Sequence, residues 1–126
     1  MAFRSLLLLQ KAGVFLGVVG LHVNKTHNMA ELAYWIGKPY WRSGYCTEAA
    51  ERVVQFAFDE LALNRVFAAA MTRNPASYKV MEKIGMKQEG ILRNHIRKGE
   101  TYEDLRYYGI LRIDTQSTPI PQIPAQ

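Results

Sequence analysis

Hydrophobic residues alternate or run together in short stretches along most of this chain, and polar residues and glycines separate the stretches. Residues 3–10 read as a first strand, with Leu6 to Leu9 as its apolar centre. Lys11-Ala12-Gly13 is a turn signal, and residues 14–24 are a second strand, so the two form an antiparallel hairpin. Gly17 and Gly20 within the second strand mark bulges or close backbone approach. After a polar loop, residues 30–37 form a third strand, with Leu32, Tyr34 and Ile36 on one parity and Ala33 and Trp35 on the other. Periodicity then switches. Ala50, Val53, Val54, Ala57 and Leu61 fall on one helical face, predicting a helix over 48–63 with Asn64 as its stop. Residues 65–72 are a short apolar strand. Asn74-Pro75 opens a second helix with a favoured cap and a favoured first position, Val80, Met81 and Ile84 form its buried stripe, and Gly85 closes it. Residues 86–96 and 102–113 form a last hairpin around Lys98-Gly99-Glu100.

The predicted order is β-β-β-α-β-α-β-β, an α/β (α+β) fold with a mixed sheet. The strand–helix–strand unit in its middle requires a parallel pair with a right-handed crossover, and the hairpins make the rest mostly antiparallel. Residues 1–113 form a single domain, and residues 114–126, with three of the five prolines, form a flexible tail. The length of 126 residues suits one core. One cysteine excludes an internal disulfide and suits a reducing, cytoplasmic setting. No stretch is long enough to span a membrane as a helix. The net charge of +5 is spread without blocks, and suits a small anionic ligand as easily as a nucleic acid. His22, His27 and His95 lack metal-ligand spacing, so no metal is expected.

The most telling chemistry lies between the third strand and the first helix, in Tyr40-Trp41-Arg42-Ser43-Gly44-Tyr45-Cys46-Thr47-Glu48-Ala49. A strand, a glycine loop and a helix N-terminus make an anion site, because the first-turn N–H groups lack intrahelical partners and the dipole adds positive charge. A phosphate or pyrophosphate fits it. Neither a Walker loop nor a G-x-G-x-x-G fingerprint is present. Cys46 at this helix start could be an activated thiol, but the favoured reading is a small buried residue.

A second motif, Asn74-Pro75-Ala76-Ser77 followed by Val80, Lys83, Gly85, Glu89 and Gly90, lies one strand further on. With Trp41, Gly44, Thr47, Glu48 and Ala49 before it and Asp104 after it, the set resembles the GNAT superfamily of acyl-CoA N-acyltransferases. Within it, the chain is most similar to the Rim-type branch, which acetylates ribosomal-protein N-termini. The resemblance covers residues 14–113 in order and spacing.

It implies a sheet splayed at its parallel pair and acetyl-CoA as acyl donor. Trp41, Arg42, Ser43, Gly44, Tyr45, Cys46 and Thr47 would seat the pyrophosphate. Trp35, Ile36 and Gly37 would run beside the pantetheine, with a backbone N–H near Ile36 as oxyanion donor. Asn74 would touch the pantetheine or thioester end, and Ser77 would protonate the departing thiolate, unless water does so and Ser77 is a first-turn helix residue bonding the backbone. Two departures bear on catalysis. The tyrosine that serves many members as acid corresponds to Met81, and the branch's glutamate base corresponds to Ile96. His95 is adjacent, but strand alternation sends it to the opposite face. Glu31 and Tyr34 are alternative bases on a wet face. Asp104 is read as structural, and Tyr102, Tyr107 and Tyr108 as an aromatic packing group.

The resemblance implies an N-acetyltransferase acting by direct attack of a primary amine, either a peptide α-amine or a small-molecule amine. Two other readings stay open: a CoA-binding protein without turnover, and a small RNA-binding domain. The last lacks an RNP-type aromatic strand motif, so nucleic acid is not the expected partner. Relative to the family, the sequence opens almost directly on the first hairpin, at residue 3, so either the protein is naturally short or its start is truncated; an exposed first strand and a homodimer that covers it are expected.

Overall fold

The computed structural model describes residues 2–11, 14–36 and 44–115, with side chains from residue 17 onward apart from those of Trp35, Ile36 and Tyr45. The element order is β1 (Ala2–Lys11), β2 (Val14–Asn24), β3 (Met29–Ile36), α1 (Tyr45–Asp59), β4 (Arg65–Met71), α2 (Pro75–Lys83), β5 (Lys87–Lys98) and β6 (Thr101–Leu111). A short 3-10 turn, Arg112–Thr115, follows, so the last strand ends two residues earlier than its apolar run predicts. There Asp114 accepts the Leu111 N–H at 2.9 Å.

The strands form one six-stranded sheet in the order β1-β2-β3-β4-β6-β5. Every neighbouring pair is antiparallel except β3 and β4. The parallel register runs from Met29↔Arg65 to Glu31↔Phe67 and stops there. Beyond that point β3 stays paired with β2 as far as Gly17↔Ile36, and β4 stays paired with β6 as far as Met71↔Leu105. The two strands therefore part toward their C-terminal ends, and the splay expected from the resemblance is present.

Alternation decides which side of the sheet is dry. Val19, Leu21 and Val23 of β2, Ala30 and Leu32 of β3, Val66, Ala68 and Ala70 of β4, and Tyr108 and Ile110 of β6 are buried. They pack against Ala50, Val53, Val54, Ala57 and Phe58 of α1 and Met81 and Ile84 of α2. Both helices thus cover the same sheet face. Tyr108 is the largest fully buried side chain among the described residues. Its ring stacks on Tyr78, centroids 6.3 Å apart, and its hydroxyl donates to Glu82 Oε2 at 2.7 Å. The Arg106 guanidinium also lies over the Tyr78 ring, 4.2 Å from its centroid. The three tyrosines of the last strand are therefore not one group. Tyr107 stacks on Phe67 across the opposite face, and Tyr102 is exposed.

Helix α1 is shifted from its predicted span of 48–63. It begins at Tyr45, directly behind Gly44, and ends at Asp59. The Glu60 and Leu61 N–H groups both turn back to the Phe56 carbonyl, the Leu63 N–H reaches Ala57, and Ala62 takes φ 55°. This curl tucks Leu63 fully into the core although it lies outside the helix. Asn64 is not the stop; its N–H and carbonyl instead tie Asn28 and Arg112. Helix α2 starts and ends as predicted. Asn74 is its cap and accepts the Ser77 N–H at 3.4 Å, Pro75 is its first residue, and Gly85 turns the chain at φ 95°.

Two bulges distort β5, between Gln88 and Gly90 and between Leu92 and Ile96. The first aims Glu89 at Arg65, which it grips with two bonds of 2.8 and 2.7 Å. These bonds hold the Glu89 carboxyl below the usual carboxylate range. The pair lies over Gly109, where a Cβ would meet the Glu89 carboxylate and, at 2.6 Å, the Arg65 guanidinium. The second bulge has Asn94 at φ 47°, with its N–H bonded to Asp104 Oδ1 at 2.8 Å. Asp104 thus has the structural role read for it. The same bulge breaks the alternation: His95 packs edge-on against Tyr107, centroids 6.1 Å apart, on the face the helices leave open. A second glycine-marked bulge sits where expected in β2, where Leu9↔Gly17 is followed by Gln10↔Phe15. At Gly20 the ladder is regular.

Candidate active site

Parallel strands that part at their C-terminal ends open a crevice, and the two helices that follow them start at its rim. At the first rim, Gly44 stands as the α1 cap with φ 87°, a left-handed conformation that costs glycine little and other residues more. No side chain caps this helix, and the first bond within it is Glu48 N–H to Gly44 O at 3.1 Å. The N–H groups of Tyr45, Cys46 and Thr47 therefore face outward with the positive end of the dipole behind them. Of the predicted phosphate-seating residues, Gly44, Tyr45, Cys46 and Thr47 form this turn, while Trp41, Arg42 and Ser43 lie outside the described residues, as does Gly37 of the predicted pantetheine stretch.

The half-buried Cys46 is not an activated thiol. Burial pushes it from an ordinary 9.0 up to about 11. Iodoacetamide at pH 8 is expected to alkylate it about a hundredfold more slowly in the native chain than after unfolding, because so little thiolate is present. The sign for stability follows from linkage: the unfolded thiol loses its proton first, so stability is intact below about pH 9 and declines as pH rises toward 11. Alkaline urea titrations check this.

At the second rim stand Asn74 and Ser77, which the sequence singled out, and Tyr34, which it placed wrongly. Tyr34 shares the parity of Leu32 and so belongs to the helix-covered face, not to a wet one. Its hydroxyl donates to the Ser77 carbonyl at 2.6 Å and accepts from Ser77 Oγ at 3.2 Å. One phenol thereby ties the end of β3 to the first turn of α2 across the mouth of the splay. Burial raises the Tyr34 hydroxyl well above the ordinary tyrosine range; the Ser77 bond offsets this in part, and nearby Cys46 adds to it. It stays neutral throughout the range in which an enzyme of this kind would work. The signal for this contact was the i, i+2 relation to Leu32.

The backbone of Trp35 and Ile36 lies on β3 past the last bridge to β4, where the resemblance puts the pantetheine. Counted along the parallel register, Ile36 is level with Thr72, two residues before Asn74. Met81, at the tyrosine slot, is sealed in the core. Ile96, at the glutamate slot, pairs with Glu103 on β6. Glu31 sits deep in the crevice, at the last bridged pair with Phe67. No helix among the described residues is long and apolar enough to cross a membrane, and none of their His, Cys, Asp and Glu side chains cluster as a metal site.

Comparison with known proteins gives one answer. Residues 2–87 match the Acetyltransferase (GNAT) domain family. The chain is 34% identical over 98 residues to the uncharacterized N-acetyltransferase YoaA of Bacillus subtilis, and 36% identical over 101 residues to that organism's putative ribosomal N-acetyltransferase YdaF. These alignments cover 77% and 79% of the chain but 55% of each relative, so the chain spans about half the length of these curated relatives. Among solved structures, a probable acetyltransferase superposes with a TM-score of 0.78 at 35% identity, covering 82% of this chain and 58% of the other. A GNAT-family acetyltransferase from Bacillus anthracis gives 0.77 at 32%, covering 84% and 64%. The splayed pair, the uncapped turn behind Gly44, the Asn74 cap and these similarities agree: the chain belongs to the GNAT acetyltransferase family.

Proposed function

We infer that this chain carries the acetyl-CoA-handling part of an N-acetyltransferase, moving an acetyl group to a primary amine by direct attack. The observation that carries the reading is the arrangement of two helix N-termini, at Gly44 and Asn74, on the rim of a crevice between parallel strands that part after Glu31↔Phe67. The first turn of α1 would hold the donor's pyrophosphate through backbone N–H groups. The donor's pantetheine would extend along the unbridged end of β3 toward Asn74, and the Ile36 region would supply the N–H that stabilises the tetrahedral oxyanion. Ser77, held by Tyr34, would stand where the leaving sulfur needs a proton.

A peptide α-amine is the acceptor favoured here. With a pKa of about 7.7–8.0 it is partly neutral at physiological pH, whereas a lysine amine near 10.4 is not. The similarity to YdaF, named as a putative ribosomal N-acetyltransferase, points the same way. A second reading, a CoA-binding protein without turnover, draws on the apolar residues Met81 and Ile96 at the two catalytic slots. Free-thiol release from acetyl-CoA with a panel of peptides, lysine derivatives and polyamines separates the two. Amine-dependent release supports transfer; tight acetyl-CoA binding without release from any amine supports the second reading.

A further inference from the structure

The reaction just inferred needs a group that relieves an ammonium of its proton close to the thioester, and the obvious strand position for one holds Ile96. We propose that Glu103 of β6 is that group: it receives the acceptor's ammonium and takes its proton. This assignment rests on the acetyl-transfer reading and adds a catalytic residue to it.

Level and face both select Glu103. The β4–β6 ladder ends at Met71↔Leu105 and continues as a bond from the Thr72 N–H to the Asp104 carbonyl, 3.1 Å. The next step outward sets Arg73 beside Glu103, joined by an ion pair of 2.8 Å. Glu103 therefore stands beside the loop that becomes the Asn74 cap, one residue beyond the level of Ile36 across the splay. By alternation it shares the helix-free face with Tyr107, opposite the side on which Tyr34 holds Ser77. An acceptor entering from that face meets the carboxylate before it meets the crevice.

The other groups on this face stand too far back. Glu31 lies five residues before Ile36 along β3, roughly 16 Å at strand spacing. Glu89 is committed to Arg65 at the far end of β4. His95 packs on Tyr107, which pairs with Ala69 and not with the end of the strand.

The Glu103 side chain is only 13% exposed, against 62% for Arg73. Arg73 Nε occupies one carboxylate oxygen and the Thr101 hydroxyl approaches the other at 3.3 Å. A carboxylate has about four acceptor sites, so sites remain for an ammonium. The step balances as follows. One ammonium proton passes to Glu103, directly or through one water. The freed nitrogen lone pair then forms the C–N bond, and the C–S bond breaks with its electrons going to sulfur. A second nitrogen proton reaches the thiolate by way of the Ser77 hydroxyl or solvent.

The test uses the full chain with acetyl-CoA and an amine that supports thiol release. Glu103→Gln is expected to lower kcat/KM for the amine about a hundredfold at pH 7 while leaving KM for acetyl-CoA within about twofold. Its rate should climb about tenfold per pH unit between about pH 6 and 7 and level off near the amine's pKa of about 7.7–8.0, following the free amine, where the unsubstituted chain stays nearly flat. Glu103→Asp should restore the flat profile at a reduced rate. Arg73→Gln should also keep the flat profile, because the carboxylate remains. A sloping profile for Arg73→Gln equal to that of Glu103→Gln would reduce Glu103 to an ion-pair partner and overturn the proposal. So would an unchanged rate and profile for Glu103→Gln. Failure of the unsubstituted chain with every amine would overturn the acetyl-transfer reading itself, and this assignment with it.

Discussion

Tyr108→Ala is expected to remove about 3–5 kcal/mol of folding stability, measured by urea unfolding. A domain of this kind has about 5–15 kcal/mol in total, so the variant should be largely unfolded on mild warming. The size follows from what the side chain joins. Tyr108 is 1% exposed, stacks on Tyr78 of α2 and donates its hydroxyl to Glu82 of the same helix. Its strand, β6, is hydrogen-bonded to both β4 and β5. Truncation empties a ring-sized space between α2 and the sheet and leaves Arg106 stacked on a tyrosine that has lost its own support. Tyr108→Phe separates ring from hydroxyl: it keeps the stack and should cost about 1 kcal/mol. A loss equal to that of alanine would show that the Glu82 bond, not the packing, carries the effect.

For activity, linked effects are expected at Ser77 and Tyr34. Ser77→Ala should lower kcat about a hundredfold, the lower end for loss of a positioned proton donor, with little change in KM for acetyl-CoA. Tyr34→Phe should lower kcat about tenfold. The phenol holds Ser77 by two hydrogen bonds, and without it Ser77 Oγ loses the acceptor that fixes its rotamer. The two variants act on one unit, so the double variant should be no slower than Ser77→Ala alone. Full additivity would mean that Tyr34 acts elsewhere. Because burial keeps the Tyr34 hydroxyl neutral, the rate should not fall through its ionisation below about pH 10.

Much of the architecture was legible because it rests on local rules. Helical periodicity named Ala50, Val53, Val54, Ala57, Met81 and Ile84 as buried, Asn74-Pro75 fixed the start of α2, and the order of strands and helices forced one parallel pair. The legible part of the site was likewise its backbone: a glycine before a helix and a capping asparagine. What escaped depends on partners distant in sequence. Helix α1 stops at Asp59 because later N–H groups fold back on Phe56 and Ala57, which no residue type announces. The face of His95 is set by a bulge that needs Asp104, ten residues away on the neighbouring strand, to accept the Asn94 N–H. Tyr34 was misplaced because a tyrosine on a strand does not reveal whether its hydroxyl finds water or Ser77, 43 residues on. Glu103 was passed over because its neighbourhood exists only once β6 lies beside β4.

The distorted strand β5 has a bearing on self-association. It forms one border of the sheet, and a straight border strand is a template on which another chain can add. Here four of twelve residues are Lys or Arg, and two bulges interrupt the spacing that an incoming strand would have to match. Addition of a further strand along β5 is thus opposed both by its charge and by its broken register.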